Sequence, residues 1–179
     1  MHNNSDIAGT RAKESKITRF DIRRGHFSLW VGQNEPRKEF DFVSGTLKGI
    51  TLRRKEATSG EMIFMDFLFE KGETRFKVSA IASSSVAAEL VSKLANIHEI
   101  TSELRIDVWA KENFTNCTVR ENGEALPFRT LPKTVRKQNG FNTVVDSTER
   151  DEAVLKMVDE LNLRLGFVQA NSSGRPCMG

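Results

Sequence analysis

From Ile17 onward apolar and polar residues take turns along the chain, the period of strands that bury one face. The run Ile17-Thr-Arg-Phe-Asp-Ile-Arg-Arg meets Gly25 and resumes as His-Phe-Ser-Leu-Trp-Val, which predicts a hairpin carrying Phe20, Ile22, Phe27, Leu29 and Trp30. A longer extended segment, FDFVSGTLKGITLRRK from Phe40 to Lys55, puts Val43, Gly45 and Leu47 on one face. Ile50 and Leu52 resume that face one residue out of phase. A slip of this kind at Gly49 marks a β-bulge, and a strand bent by a bulge serves both halves of a small barrel. The polar stretch Glu56 to Gly60 predicts a turn.

The next strand, EMIFMDFLFE from Glu61 to Glu70, is expected to turn Ile63, Met65, Phe67 and Phe69 inward and Met62, Phe64 and Leu68 outward, with Asp66 between them. Lys71-Gly72-Glu73 closes a hairpin whose return strand alternates Phe76, Val78 and Ala80 with Arg75, Lys77 and Ser79. A helix follows: Ser83 to Ser85 offer N-caps, and Ala87, Leu90, Val91, Leu94 and Ala95 recur at helical spacing up to about Asn96. From Leu104 to Lys111 strict alternation returns, with Leu104, Ile106, Val108 and Ala110 inward and Arg105, Asp107, Trp109 and Lys111 outward. A last strand, Thr115 to Glu121, buries Cys117 beside Val119 and runs into the Asn122-Gly123 turn.

Three strands, one helix and two strands between Phe40 and Leu131 are the order of an OB-fold, so the expected class is mainly β. It is a five-stranded OB-fold barrel with one helix between strands 3 and 4, an N-terminal β-hairpin and a C-terminal helix. The expected division is a flexible basic arm over 1–16, the OB-fold domain with its hairpin over 17–131, and a basic linker over 132–145. A C-terminal helix over 146–167 and a disordered tail over 168–179 complete it. The helix rests on a capping-box-like Asp146-Ser-Thr-Glu149 and a stripe of Val154, Leu155, Val158, Leu161 and Leu165. That stripe packs either on its own barrel or on a second copy of the chain, which leaves a homo-oligomer open. The other face carries Asp151, Glu152, Asp159 and Glu160.

The composition narrows the chemistry. Among 179 residues, 38% are apolar and 28% charged, enough for a core without disulfides or metals. There is no Tyr, and the two Cys, Cys117 and Cys177, make no framework. His2, His26 and His98 lie too far apart in sequence to suggest a metal site. No phosphate-binding glycine loop and no nucleophile elbow occurs. The expectation is a protein without cofactor or metal that is not an enzyme. Neither a signal-peptide core nor a stretch of about 20 apolar residues is present, so a cytoplasmic protein without membrane contact is expected. Twenty-seven Lys and Arg against 24 Asp and Glu give +3, compatible with a polyanionic partner.

VSGTLKGI with its bulging glycine, the strand ending FLFEKGE, the serine-capped helix SSSVAAELVSKLANI, the strand RIDVWAK and a basic proline-containing linker before a late helix together carry a resemblance. The chain resembles the small OB-fold single-stranded DNA-binding proteins of bacteriophages and mobile elements. The resemblance implies coating and protection of single-stranded DNA in replication or recombination, with replication or recombination proteins as further partners. This chain ends RPCMG where the acidic tail usual in such proteins would stand.

Binding single strands without sequence preference takes aromatic platforms for bases and cations for phosphates. The candidate platforms are Trp30, Phe64 and Trp109. The candidate cations are Lys48, Arg53, Arg54, Lys55, Arg75, Lys77, Arg105 and Lys111, with Arg53-Arg54-Lys55 expected at the loop between the first two barrel strands. Two rivals use the same residues: an RNA-binding OB protein, and an OB-fold protein-interaction module that docks a partner on Met62, Phe64 and Leu68.

Overall fold

A computed structural model describes residues 17–58 and 60–168. The expected arm over 1–16 and all but the first residue of the expected tail lie outside the described residues. The element order is β1 (Thr18–Arg23), β2 (His26–Leu29), β3 (Lys38–Phe40), β4 (Phe42–Ala57), β5 (Gly60–Lys71), β6 (Thr74–Ile81) and α1 (Ser85–Leu94). Then come β7 (Leu104–Lys111), β8 (Phe114–Glu121), β9 (Glu124–Ala125), β10 (Val135–Asn139), β11 (Asn142–Asp146) and α2 (Thr148–Leu165).

β4 is the hinge of the architecture. Its first residues, Phe42 to Gly45, pair antiparallel with β7, and Thr46 to Ala57 pair with β5. The register slips between Leu47 and Gly49, so Lys48 is the extra residue of a bulge that lies just past the stretch paired with β7. Gly49 is required there, because a Cβ would sit 2.4 Å from the ring of Phe167. One apolar core runs through both halves, with Leu47, Ile50, Met65, Phe67, Phe69 and Val78 from the β4–β5–β6 side and Leu104, Ile106 and Cys117 from β7–β8. α1 covers it with Ala87, Leu90, Val91 and Leu94, and the Ser84 hydroxyl accepts from Ala87 N–H at the helix start. Burial pushes the Cys117 thiol far up, so it stays protonated and acts as a small apolar side chain.

The protein is mainly β, but the sheet is not a closed five-stranded barrel. Among the described residues nine strands join in one open sheet in the order β3-β2-β1-β6-β5-β4-β7-β8-β9. The physical reason is the N-terminal hairpin: β1 lies parallel to β6, with Phe20 opposite Val78, so the second edge of β6 is paired with β1 and not with β8. The hairpin turn bridges the opening instead. Gly25 N–H donates to the Thr115 hydroxyl at 3.1 Å, and Gly25 sits so near the Ala110 backbone that a Cβ would be 2.2 Å from its nitrogen.

Other expectations need correction. The 132–145 linker contains an antiparallel ribbon, β10–β11, which pairs Val135 to Asn139 with Asn142 to Asp146 about a turn at left-handed Gly140. Its side chains are exposed throughout, apart from half-buried Asp146. The capping box does not form: Ser147 caps nothing, and Asp146 accepts from Thr148 N–H and Oγ1 instead. Ile63 and Ala110, expected inside, stand near strand ends and are exposed. α2 packs on its own chain, burying Val154, Met157, Val158 and Leu161 over α1 and β4, and ends at the left-handed Gly166.

Candidate nucleic-acid interface

Strand alternation decides which side chains reach the outer face of β4, β5, β6 and β1. Across the ladders, Arg53 stands opposite Phe64 and Phe64 opposite Ile81; one step along, Asp66 stands opposite Ser79 and Ser79 opposite Asp21. A groove of 320 Å³ opens on this face, flanked by Arg19, Arg23, Arg37, Arg53 and Lys55 with Met62 and Phe64 in its floor. Asp21, half-buried, is the carboxylate in that lining. It takes Arg37 at 3.1 Å and Arg19 at 3.3 Å and so fixes two of the cations in place.

The sequence places Asp66 in an outward row, yet it is 2% exposed. Its carboxylate accepts from Arg53 Nε at 2.9 Å and Nη2 at 3.3 Å, from Lys77 Nζ at 3.2 Å and from Ser79 Oγ at 2.5 Å. Burial pushes this carboxyl's pKa up. The hydrogen bonds from Arg53 and Ser79 and the charges of Lys77 and Arg53 outweigh it and hold the group below its ordinary value of 3.8. The same clamp lays the Arg53 guanidinium over Phe64, 4.8 Å from the ring centre. A buried anion thus positions two cations and, through one of them, covers the aromatic platform.

The predicted site residues fall into separate places. Arg53, Lys55, Phe64 and Lys77 share the outer face, whereas Arg54 points to the opposite side and pairs with Glu61 at 3.2 Å. The expectation that Arg53-Arg54-Lys55 enters a loop fails because β4 continues to Ala57, and inside a ladder consecutive side chains face opposite ways. Lys48 at the bulge and Arg75 both pair with Glu70, at 3.4 and 3.0 Å. Trp30 stands just past β2 and Trp109 on β7, 57% and 43% exposed. Arg105, Trp109 and Lys111 belong to β7, which has no ladder to β5 or β6. Arg105 is held by Asp107 at 2.9 Å and lies 3.9 Å over the ring of Phe42.

Compared with family models, curated proteins and solved structures, the chain matches none. Among the described residues no group of three His, Cys, Asp or Glu converges as a metal site would require. No helix of the described residues is long and apolar enough to cross a membrane.

Sequence reasoning missed Arg19, Arg23 and Arg37. Arg19 and Arg23 alternate with Phe20 and Ile22, so their outward direction was legible. Their place beside Lys77 and Ser79 depends on the parallel β1–β6 pairing, which no local pattern announces.

Proposed function

We propose that this protein binds single-stranded DNA on the outer face of β4, β5, β6 and β1, coating and protecting strands in replication or recombination. The observation that carries the reading is the row of cations around an aromatic floor: Arg19, Arg23, Arg37, Arg53 and Lys55 about Phe64. An unpaired strand needs both parts together, since cations hold the phosphates and a base stacks on the planar Arg53 guanidinium that lies over Phe64. We further read β4 to β8 as an OB-type unit whose closing edge has been taken over by β1. A glycine-bulged strand shared by two half-sheets and a helix between the third and fourth strands support that reading.

Fluorescence titration with a thymidine oligomer of about 30 nucleotides, enough for several OB-sized footprints, at two salt concentrations tests the function. Affinity should exceed that for duplex and fall as salt rises. Equal affinity for duplex and single strand overturns the proposal. An RNA-binding protein would instead require the 2′-hydroxyl, so a ribose oligomer of the same sequence is the discriminating comparison.

The protein-interaction reading has an observation of its own. A 460 Å³ groove beside the start of α2 is lined by Leu52, Ile63, Ile81 and Leu155, all partly exposed. A module of that kind would show little salt-dependent affinity for any oligonucleotide.

A further inference from the structure

On the other side of β1 from the basic groove the structure has a second opening, of 430 Å³, within the roughly 300–1,000 Å³ of ligand pockets. Its walls come from four phenylalanines on four strands: Phe20 of β1, Phe40 of β3, Phe42 of β4 and Phe76 of β6. Phe20 meets Phe40 and Phe76 edge to face, at 5.7 and 5.8 Å and near 90°. Phe76 in turn stacks on buried Phe69 at 5.4 Å, so the aromatic wall continues into the core and is held rigid from behind. Phe40 and Phe42 remain 41% and 47% exposed.

The polar groups of the opening are hydroxyls and one ammonium. Ser44, Thr18 and Thr74 line it, and Lys71 donates to Ser44 Oγ while it pairs with Glu103 at 2.8 Å. No carboxylate is among its lining residues. On the outside the Arg105 guanidinium covers one side of the Phe42 ring at 3.9 Å. An aliphatic guest would need only an apolar hole. Rigid aromatic walls with hydroxyls at hydrogen-bonding reach suit a flat, π-rich group, and the two cations beside them, Lys71 and Arg105, would turn from their exposed partners Glu103 and Asp107 to an anion carried by that group.

Resting on the nucleic-acid reading above, we propose that this opening is a slot for a single unstacked nucleobase, separate from the basic groove. The base stacks on Phe40 and Phe42 while Lys71 and Arg105 hold its flanking phosphates. The strand would then be gripped in two places, by cations along the β4–β5–β6–β1 face and by one base seated among phenylalanines.

The test uses the full chain and a thymidine oligomer in which 5-iododeoxyuridine replaces thymidine, irradiated in the complex, with crosslinked peptides identified by mass spectrometry. Crosslinks are expected at Phe40 or Phe42. In parallel, Phe40→Ala and Phe42→Ala should each weaken binding by about five- to a hundredfold, as loss of one stacked base does, with the melting temperature recorded for each. Crosslinks confined to Met62 and Phe64, with both variants titrating like the parent protein, overturn the slot and leave the basic face standing. If the parent protein binds no oligonucleotide at all, the functional reading falls and the slot falls with it. Should a variant fail to fold, the crosslinks of the parent protein decide alone.

Discussion

The side-chain amide of Asn162 closes on the backbone of Ile50 from both ends: Ile50 N–H donates to Asn162 Oδ1 at 2.9 Å, and Asn162 Nδ2 donates to the Ile50 carbonyl at 2.9 Å. Past the bulge β4 has left β7, so these backbone groups have no neighbouring strand on that side. The last turn of α2 supplies what a strand would have supplied, and it does so beside Phe167, whose ring fills the space that Gly49 leaves.

Asn162→Leu should therefore cost about 1–3 kcal/mol, the penalty for leaving a buried backbone donor or acceptor unpaired. Denaturant titration measures it. Asn162→Gln, whose amide reaches one carbon too far, should recover little of the loss. A variant as stable as the parent would mean that water replaces both bonds.

Gly25→Ala should be damaging, because this turn residue is buried against β7. Gly25 has φ +81°, and the added Cβ would lie 2.2 Å from the Ala110 nitrogen. A left-handed non-glycine residue costs about 1–2 kcal/mol and the forced displacement a further 1–3 kcal/mol. The N-terminal hairpin should loosen first, seen as faster amide exchange in β1 and β2 than in β5.

Asp66→Asn separates the clamp's structural role from its electrostatic one. Stability should fall by about 1.5–3 kcal/mol, the value of hydrogen bonds to a charged group. The salt dependence of single-strand binding should steepen by about 0.7 for each phosphate that Arg53 or Lys77 newly takes. An unchanged slope would show that neither cation reaches the strand once freed.

Acid should expose the same clamp in the parent protein. Because the native Asp66 pKa lies below 3.8, its contribution is complete above that value and is lost as pH falls through the lowered native pKa. Glu121 behaves alike. Burial raises its pKa, but hydrogen bonds from Glu99 N–H and from the His98 side chain and N–H bring it below 4.5. Melting temperature should stay level down to about pH 5 and drop steeply below pH 4. In Asp66→Asn part of that drop should be gone.

Arg23→Ala combined with Lys55→Ala should weaken binding and flatten the salt slope by about 1, whereas Arg54→Ala should leave both unchanged. Arg54 faces away from the groove and is tied to Glu61. Equal effects from the two sides would refute the assignment of the outer face.

Local signals were strong in this chain. Ser84 before an apolar helical stripe, the alternation from Leu104 to Val108 and the phase slip at Gly49 each rest on neighbours in sequence, and each appears as read. What stayed hidden is long-range pairing. Phe20, Val78 and Phe67 all read as strand residues, yet nothing in their spacing says that β1 lies parallel beside β6 in an open sheet. Asp66 shows the same limit in the site. An acid among Met62, Phe64 and Leu68 looks like a surface residue until Arg53, Lys77 and Ser79 are brought round it from two other strands.

The parallel seam between β1 and β6 also orders events in time. Synthesis delivers β1 first, but its partner residues Phe76 to Ser79 follow only after β2, β3, β4 and β5 have left the ribosome. The β5–β6 hairpin, with contacts local in sequence, can form early, while joining Thr18 to Phe76 closes a long loop and is correspondingly slow. A growing chain therefore presents the bare edge of β6 to its surroundings for a while, which is the situation in which strands of neighbouring nascent chains add to one another. β1 is made before β6 and seated after β6 has formed, and the seat it takes protects that edge.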